Sequence, residues 1–323
     1  MQPTNPALPA PKSLPASQFP APPGPRAGEV GQCSRTSSRQ GRTGPSRIAV
    51  SLLAGVLLVF GALTVAAQTT PGSEAAADAA RNPLGVEPFS HSDWDQVLQR
   101  FVDTEGMVDY VGLAEDRAAL DRYLAALAAM SPESHPNRFP TRHEALAYYL
   151  NAYNAYVFEG VLEGGGDQES VWATMLQGYK FFIGKKIVVG GEKTHLKKLE
   201  DEAVREQFED PRIHAALVCA AVSCPRLPQR AFFGETLEAD LDRVMREWVE
   251  DPRHAYFDAE SGVVYLSKIF DWYGDDFLDY ERHQGRDKPE LVDYVNRFRA
   301  ADEALPRDAK VRFIEYDKSL NKQ

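Results

Sequence analysis

Residues 141–162 read TRHEALAYYLNAYNAYVFEGVL, and this stretch decides the fold of the segment around it. Thr141 followed three residues later by Glu144 forms a capping-box pattern, so a helix is expected to begin here. Gly164-Gly-Gly166 is expected to end it. Apolar side chains cover one face and much of the other, which is typical of a helix in the middle of a domain.

Three polar side chains interrupt this apolar helix. Glu144 and Asn151 are seven residues apart and therefore lie on one side, and Asn154 follows one turn further. Buried acids and amides need hydrogen-bonding partners. We therefore expect these three residues to face other polar groups of the domain.

A second stretch, residues 210–228, reads DPRIHAALVCAAVSCPRLP and is the densest in chemistry. It brings together Arg212, His214, Cys219 and Cys224 around a short apolar run. The prolines at 225 and 228 forbid regular structure after it. The hypothesis is that the polar residues of the central helix converge on the turn that holds the two cysteines.

These motifs resemble those of the DUF547 domain family over about residues 144–276. The resemblance is carried by the Asn-x-x-Asn helix, a Lys-x-Phe-Phe segment, Asp-Pro-Arg-x-His, Ser-Cys-Pro with a cysteine upstream, and an echo in the terminal FIEYDKSLN. Tyr149 and Lys318 stand where such proteins tend to have tryptophan. The family has no settled activity, so the resemblance implies domain boundaries more than a mechanism.

One functional interpretation is a thiol-dependent hydrolase or transferase that acts on a peptide or amide-like envelope substrate. Cys224 is the preferred nucleophile because it lies on a non-helical turn, and His214 (or His195) is its candidate base. Asn151 or Glu144 would orient that histidine. Arg212 is a candidate for binding a substrate carboxylate, with Asn154 beside it.

Two other interpretations of the cysteines stay open. Cys219 and Cys224 form a structural disulfide in a non-catalytic binding module, or cycle between dithiol and disulfide, although their spacing is not Cys-x-x-Cys. A zinc site with His214 or His195 is disfavoured, because the spacing is unusual and no second ligand pair follows. We therefore predict no metal site.

The remaining segments predict one α+β domain, mainly helical, with a small antiparallel sheet. Helices are expected from Ser92, which would cap the first, and at residues 113–130, 196–208, 237–249, 269–280 and 291–298. Strands are expected at 179–183 paired with 186–189, in a hairpin of 256–257 with 263–266, and at 311–316. The folded domain should span residues 90–323.

The first 47 residues are rich in Pro, Ser, Gly and Arg, and this composition predicts a disordered leader. Residues 48–67 then run IAVSLLAGVLLVFGALTVAA without a charge, behind four arginines ending at Arg47. Twenty apolar residues suffice to span a bilayer, with the positive flank in the cytoplasm. Residues 68–89 are predicted to be a linker.

A cleavable signal peptide is the alternative for residues 48–67, with Val65-Ala66-Ala67 before the cut. A 47-residue leader is too long for that, unless translation starts downstream, for example at Val30. An uncleaved anchor is therefore favoured. Both interpretations place the domain outside the cytoplasm, on the periplasmic side of a membrane, where two cysteines remain after Cys33 is set aside.

Charge and motifs restrict the class of partner. The first 47 residues carry six Lys/Arg and one acid, a net charge of +5. The total net charge is −11, so the rest of the chain has a net charge of −16. Such an acidic domain is a poor candidate for nucleic-acid binding, which relies on Lys and Arg. No glycine segment has a phosphate-loop pattern, and no cofactor is predicted. The membrane is the one partner that the sequence indicates, through residues 48–67.

Overall fold

The computed structural model of the protein describes residues 86–323. Its centre is the expected long helix, Arg142–Glu163, in which fifteen of 22 residues are buried. The capping box is present: Thr141 Oγ1 accepts from the Glu144 amide (3.1 Å), and Glu144 Oε2 accepts from the Thr141 amide (2.8 Å). Past the end, Gly165 and Gly166 have φ of +107° and +80°, a conformation that favours glycine.

The described residues form ten helices, of which this central helix is the fourth. They are α1 (Ser92–Phe101), α2 (Tyr110–Glu115), α3 (Ala118–Ala129), α4 (Arg142–Glu163), α5 (Met175–Tyr179, continued by Lys180–Gly184), α6 (Leu196–Lys198, continued by Leu199–Arg205 and Glu206–Phe208), α7 (Leu237–Glu250), α8 (Ile269–Trp272), α9 (Gly274–His283) and α10 (Leu291–Val295). Short 3-10 turns lie at Pro136–Arg138, Pro211–Ala215 and Ala301–Glu303.

Two small sheets complete the fold. Strands β1 (Ile187–Val189) and β2 (Glu192–Thr194) form an antiparallel hairpin. Strands β3 (Ala255–Asp258), β4 (Val263–Leu266) and β5 (Lys310–Phe313) form a sheet in the order β3-β4-β5. The α+β class is confirmed.

The sheet differs from the prediction in one pairing. β3 and β4 are antiparallel, whereas β4 and β5 are parallel, with Val263 opposite Lys310. Helices α8, α9 and α10 lie between β4 and β5 in the chain, so they form the kind of long connection that parallel strands require. The predicted small antiparallel sheet is therefore present in the β1–β2 and β3–β4 pairs, and β5 adds a parallel pairing that was not predicted.

The predicted strand at residues 179–183 is helical instead. Thr174 and Gln177 form a second capping box, with the Gln177 amide donating to Thr174 Oγ1 at 3.2 Å and the Thr174 amide to Gln177 Oε1 at 3.0 Å. This starts α5, and the helical conformation runs on through Gly184. A short apolar run fits a helix or a strand equally well, and here the cap upstream decides.

Three helix predictions also need correction. The helix expected at residues 269–280 is divided at Tyr273 into α8 and α9. Residues 113–130 form the end of α2 and all of α3, since the backbone leaves the helical region at Asp116. Helix α1 begins at Ser92 with His91 at the capping position, and no side chain caps it.

The predicted leader, the apolar segment 48–67 and most of the linker lie outside the described residues. Among residues 86–323, no helix has both the length and the apolar character needed to cross a membrane.

Candidate functional site

The two cysteines lie on a turn that α4 holds in place. The side chain of Asn154 donates to the Ala216 carbonyl and accepts from the Val218 amide, both at 2.9 Å. The chain then turns through Ala220, at φ +60°, a backbone conformation that non-glycine residues adopt rarely. The Cys224 amide closes the turn on the Ala221 carbonyl at 3.0 Å.

This turn brings the two thiols into contact. Cys219 Sγ and Cys224 Sγ are 2.6 Å apart, and the Cys219 amide donates to Cys224 Sγ at 3.1 Å. Cys219 is half-buried, while Cys224 is 5% exposed. The two sulfurs are therefore neighbours in unequal environments.

The environment separates the acidities of the two thiols. The hydrogen bond to Cys224, together with burial, raises the pKa of Cys219 well above its usual value. Burial also acts to raise the pKa of Cys224, but hydrogen bonds from Cys219, Tyr316 and the backbone outweigh it and lower that pKa. Cys224 is therefore the thiol that ionises more readily.

Tyr316, near the chain end, contacts both thiols. Its hydroxyl is 3.3 Å from each sulfur. Its ring packs against Trp172 and Trp272, with centroids 5.4 and 4.8 Å away. These three rings form an aromatic cluster beside the sulfurs, and Trp272 is 36% exposed.

Residues 314–323, which we call the C-terminal strap, hold Tyr316 in position. The Val222 amide donates to the Ser319 carbonyl at 2.8 Å, and the Ser223 amide to the Asp317 carbonyl at 3.2 Å. The Asp317 amide donates back to Ser223 Oγ at 2.9 Å. The strap thus binds the same turn that carries the cysteines.

His214 is held by a different partner from the one predicted. Its Nε2 is 2.7 Å from Asp276 Oδ2, and Arg205 donates to both oxygens of Asp276 at 2.9 Å. Although burial acts to raise the pKa of Asp276, the bonds from His214 and Arg205 outweigh it and hold that pKa far below its usual value. The His214 ring also packs on Tyr273, with centroids 4.3 Å apart.

A family model matches the part of the chain that holds the cysteine turn. Residues 137–249 match a family described as "Protein of unknown function, DUF547". The chain carries a DUF547 domain. The match spans α4 through nearly all of α7 and includes both cysteines. No curated protein and no solved structure matches the chain.

Asn151 and Glu144 of the DUF547 domain do not orient a histidine. Asn151 donates to the Phe232 carbonyl at 2.7 Å and accepts from the Phe232 amide at 3.0 Å, so both ends of its amide are occupied. Glu144 serves the capping box. The predicted convergence of the helix's polar residues on the cysteine turn therefore holds for Asn154 and fails for these two.

Arg212 is already paired with carboxylates of the domain. It bonds Asp210 and Asp242 at 2.7 Å and Glu238 at 2.9 Å. Its side chain is 16% exposed. Binding a substrate carboxylate, as predicted, would require it to give up at least one of these partners. Asn154, likewise, has both ends bound to the backbone of the turn.

Among residues 86–323, no histidine hydrogen-bonds either sulfur, and no three His, Cys, Asp or Glu side chains are grouped closely enough to hold a metal ion. The predicted alternative base His195 accepts from the Lys198 amide at 3.1 Å.

Sequence reasoning missed two residues of this site. Asp276 lies 62 residues from His214 and was noted only as the edge of the family resemblance. Tyr316 lies 97 residues from Cys219, inside the FIEYDKSLN echo, which was the available signal for it.

Proposed function

We propose that this DUF547 domain exchanges a Cys219–Cys224 disulfide with thiols of a substrate. The observation that carries the proposal is the contact of two sulfurs at 2.6 Å on one turn, with Cys219 half-buried and Cys224 buried. A disulfide needs about 2.05 Å between the sulfurs, so a shift of roughly 0.6 Å would close the bond.

The unequal environments support a direction for the exchange. In this proposal a substrate thiolate attacks the sulfur of Cys219, the less buried residue of the pair. The leaving group is then Cys224, and a thiol of lower pKa leaves faster. Tyr316 and the Cys219 amide are placed to stabilise the Cys224 thiolate as it forms.

The electrons balance over two exchange steps. In the first step, a substrate thiolate bonds to Cys219 Sγ, the Cys219–Cys224 bond breaks, and its electron pair goes to Cys224 Sγ. In the second step, another substrate thiolate attacks the substrate sulfur of the mixed disulfide and releases Cys219 as a thiolate. The thiolates of Cys219 and Cys224 then take up the two protons that the substrate thiols released. The substrate loses two electrons and gains a disulfide, and the protein pair becomes a dithiol.

The hydrolase interpretation has less support. It needs a general base within hydrogen-bond reach of the nucleophilic thiol. In the described part of the chain, His214 is bonded to Asp276 and neither sulfur has a histidine partner. The more acidic thiol is also the more deeply buried one.

The proposal also includes the cellular location of the domain. Disulfide exchange of this kind suits an oxidising compartment. This fits a domain held at the periplasmic side of a membrane by residues 48–67, which we retain as part of the proposal.

The test is a redox titration of the full chain. The protein is equilibrated with glutathione buffers and alkylated, and the peptide that holds Cys219 and Cys224 is quantified by mass spectrometry. An exchanging pair should have a potential between about −270 and −120 mV, whereas structural disulfides lie below about −300 mV. A value below −300 mV would support the alternative, a non-catalytic binding module with a structural disulfide.

A matched pair of variants tests which sulfur is attacked. In Cys224→Ser, glutathione disulfide should modify Cys219, because Cys219 is the less buried residue of the pair. In Cys219→Ser, the remaining Cys224 is shielded and should be modified at least tenfold more slowly. Equal rates would show that the assignment of Cys219 as the attacked sulfur is wrong.

A further inference from the structure

A groove of about 600 Å³ lies beside the thiol pair. It runs between residues 169–173 and residues 315–319 of the C-terminal strap. Tyr316 lines the groove, and its hydroxyl lies 3.3 Å from both sulfurs. The groove and the site of the proposed exchange therefore share one residue.

The backbone of the strap presents one unpaired edge to this groove. The carbonyls of Asp317 and Ser319 accept from the cysteine turn, so their side of the strap is occupied. In an extended chain, alternate residues point the opposite way. Leu320 shows this on the groove side, where its amide donates to the Glu169 carbonyl at 2.8 Å.

Tyr316 and Lys318 alternate with Asp317 and Ser319, so the same alternation puts their backbone groups on the side of the strap that Leu320 faces. Within residues 86–323, their backbone amides and carbonyls form no hydrogen bond. Both residues line the groove. An unpaired edge of this kind is a template for an added strand.

The charge of the groove indicates the composition of that strand. Its walls carry Glu169, Glu315 and Asp317, and one lysine, Lys318, whose ammonium lies 4.7 Å over the Trp172 ring. Glu169 is paired with Lys322 at 3.3 Å, so Glu315 and Asp317 are the two carboxylates open to a partner. Glu315 and Asp317 are exposed, and the Glu169 side chain is 95% exposed. A segment with Lys or Arg complements these carboxylates.

We infer that the groove binds an extended polypeptide segment of the substrate, with basic residues flanking its cysteine, as a strand added to Tyr316 and Lys318. The inference rests on the proposed function and names its substrate class. Five strap residues span roughly 16 Å, enough for a segment of about five residues. Such a strand passes beside Tyr316, the residue that the groove shares with the thiol site.

Binding is tested on the oxidised full chain with three fluorescent seven-residue peptides. The first has lysines flanking a central serine in place of the cysteine, the second has glutamates in place of the lysines, and the third repeats the first with alternate backbone amides methylated. Fluorescence anisotropy should show that the first peptide binds at least tenfold more tightly than the second or the third. Equal binding of all three would overturn the inference.

Variants separate the groove from the general acidity of the domain. Glu315→Lys should weaken binding of the basic peptide at least tenfold, and Ala173→Trp should block the groove. Glu192→Lys makes the same charge change at an exposed position of β2 and should leave binding unchanged. If Glu192→Lys weakens binding as much as Glu315→Lys, the groove is not the site.

Exchange with glutathione distinguishes this inference from the function on which it rests. An oxidised pair that reacts with glutathione while the peptides show no preference overturns the inference and leaves the proposed function standing. A pair that resists glutathione while the basic peptide binds makes the segment a ligand rather than a substrate, which also overturns the inference. Self-association abolished by Ala173→Trp would identify a second copy of the chain as the occupant instead.

Discussion

His214 Nε2 lies 2.7 Å from Asp276 Oδ2, and this bond attaches the histidine to α9. The imidazole is buried between Tyr273 and Phe277, with ring centroids 4.3 and 5.2 Å away. A histidine bonded and packed in this way connects the Pro211–Ala215 turn to α9. Its role in the structure is to join two parts of the fold.

We therefore expect His214→Ala to destabilise the protein and leave the thiols reactive. Loss of a buried hydrogen bond to a charged group, together with lost packing, should cost about 3 kcal/mol. Urea unfolding measures the stability, and alkylation of the reduced protein measures the thiols. Loss of alkylation with unchanged stability would instead restore the predicted catalytic histidine.

Asn154→Ala is expected to destabilise the protein by about 3 kcal/mol. The change leaves the Ala216 carbonyl and the Val218 amide without their partner inside the core, and each unsatisfied buried group costs roughly 1–3 kcal/mol. The exposed Asn137→Ala is the matched control and should change stability by less than about 0.5 kcal/mol. Equal unfolding midpoints for the two variants would contradict the structural role of Asn154.

Local signals predicted much of the central scaffold. The capping box at Thr141 and the all-round apolar pattern of α4 depend on neighbouring residues, and both were visible in the sequence. The capping box at Thr174 is an equally local signal. Together with the apolar run after it, it indicates a helix rather than the strand predicted at residues 179–183.

The candidate site was less predictable because it is assembled from distant segments. Cys219 and Cys224 stood out, as did the need of Asn151 and Asn154 for partners. Which groups those partners are depends on tertiary packing: backbone atoms satisfy both amides, and their identity leaves no mark on composition or spacing. The parallel pairing of β5 with β4 also depends on tertiary packing, and β5 leads into the strap and Tyr316.

Buried His91 makes stability depend on pH. Its Nδ1 is 2.8 Å from the Tyr123 hydroxyl, and burial lowers the pKa of His91 to about 3. The unfolded chain, with a histidine pKa near 6.5, therefore binds the proton more readily than the folded protein does between these two values. Stability is fully present above about pH 6.5 and decreases as the pH falls toward 3.

The expected loss from this group between pH 7.5 and pH 4 is about 3 kcal/mol. His254, whose pKa burial lowers to about 4, adds to the loss in the same range. His91→Gln should keep a polar partner for Tyr123 and flatten the curve by the contribution of His91. Urea midpoints measured across this range give the pH dependence of stability for the wild type and for His91→Gln. The same pH dependence in both proteins would contradict the assignment to His91.

Tyr316→Phe isolates the hydroxyl that contacts both sulfurs. The ring that packs against Trp172 and Trp272 is retained, so the fold of the strap should persist. Removing this donor should raise the pKa of Cys224, because one of the hydrogen bonds that lowers it is lost. The pH profile for alkylation of Cys224 in the reduced protein should then move to higher pH.

The same change should slow disulfide exchange about tenfold, since a hydrogen bond to a charged group contributes about 1.5 kcal/mol. The slower step is release of Cys224 from the oxidised pair, so the rate with glutathione should fall while the unfolding midpoint stays nearly constant. Trp272→Phe, which changes the aromatic cluster without touching the hydroxyl, is the control and should keep the Cys224 alkylation profile. If Tyr316→Phe leaves both the profile and the exchange rate unchanged, the hydroxyl does not stabilise the leaving thiolate, and the acidity of Cys224 must come from Cys219 and the backbone amides alone.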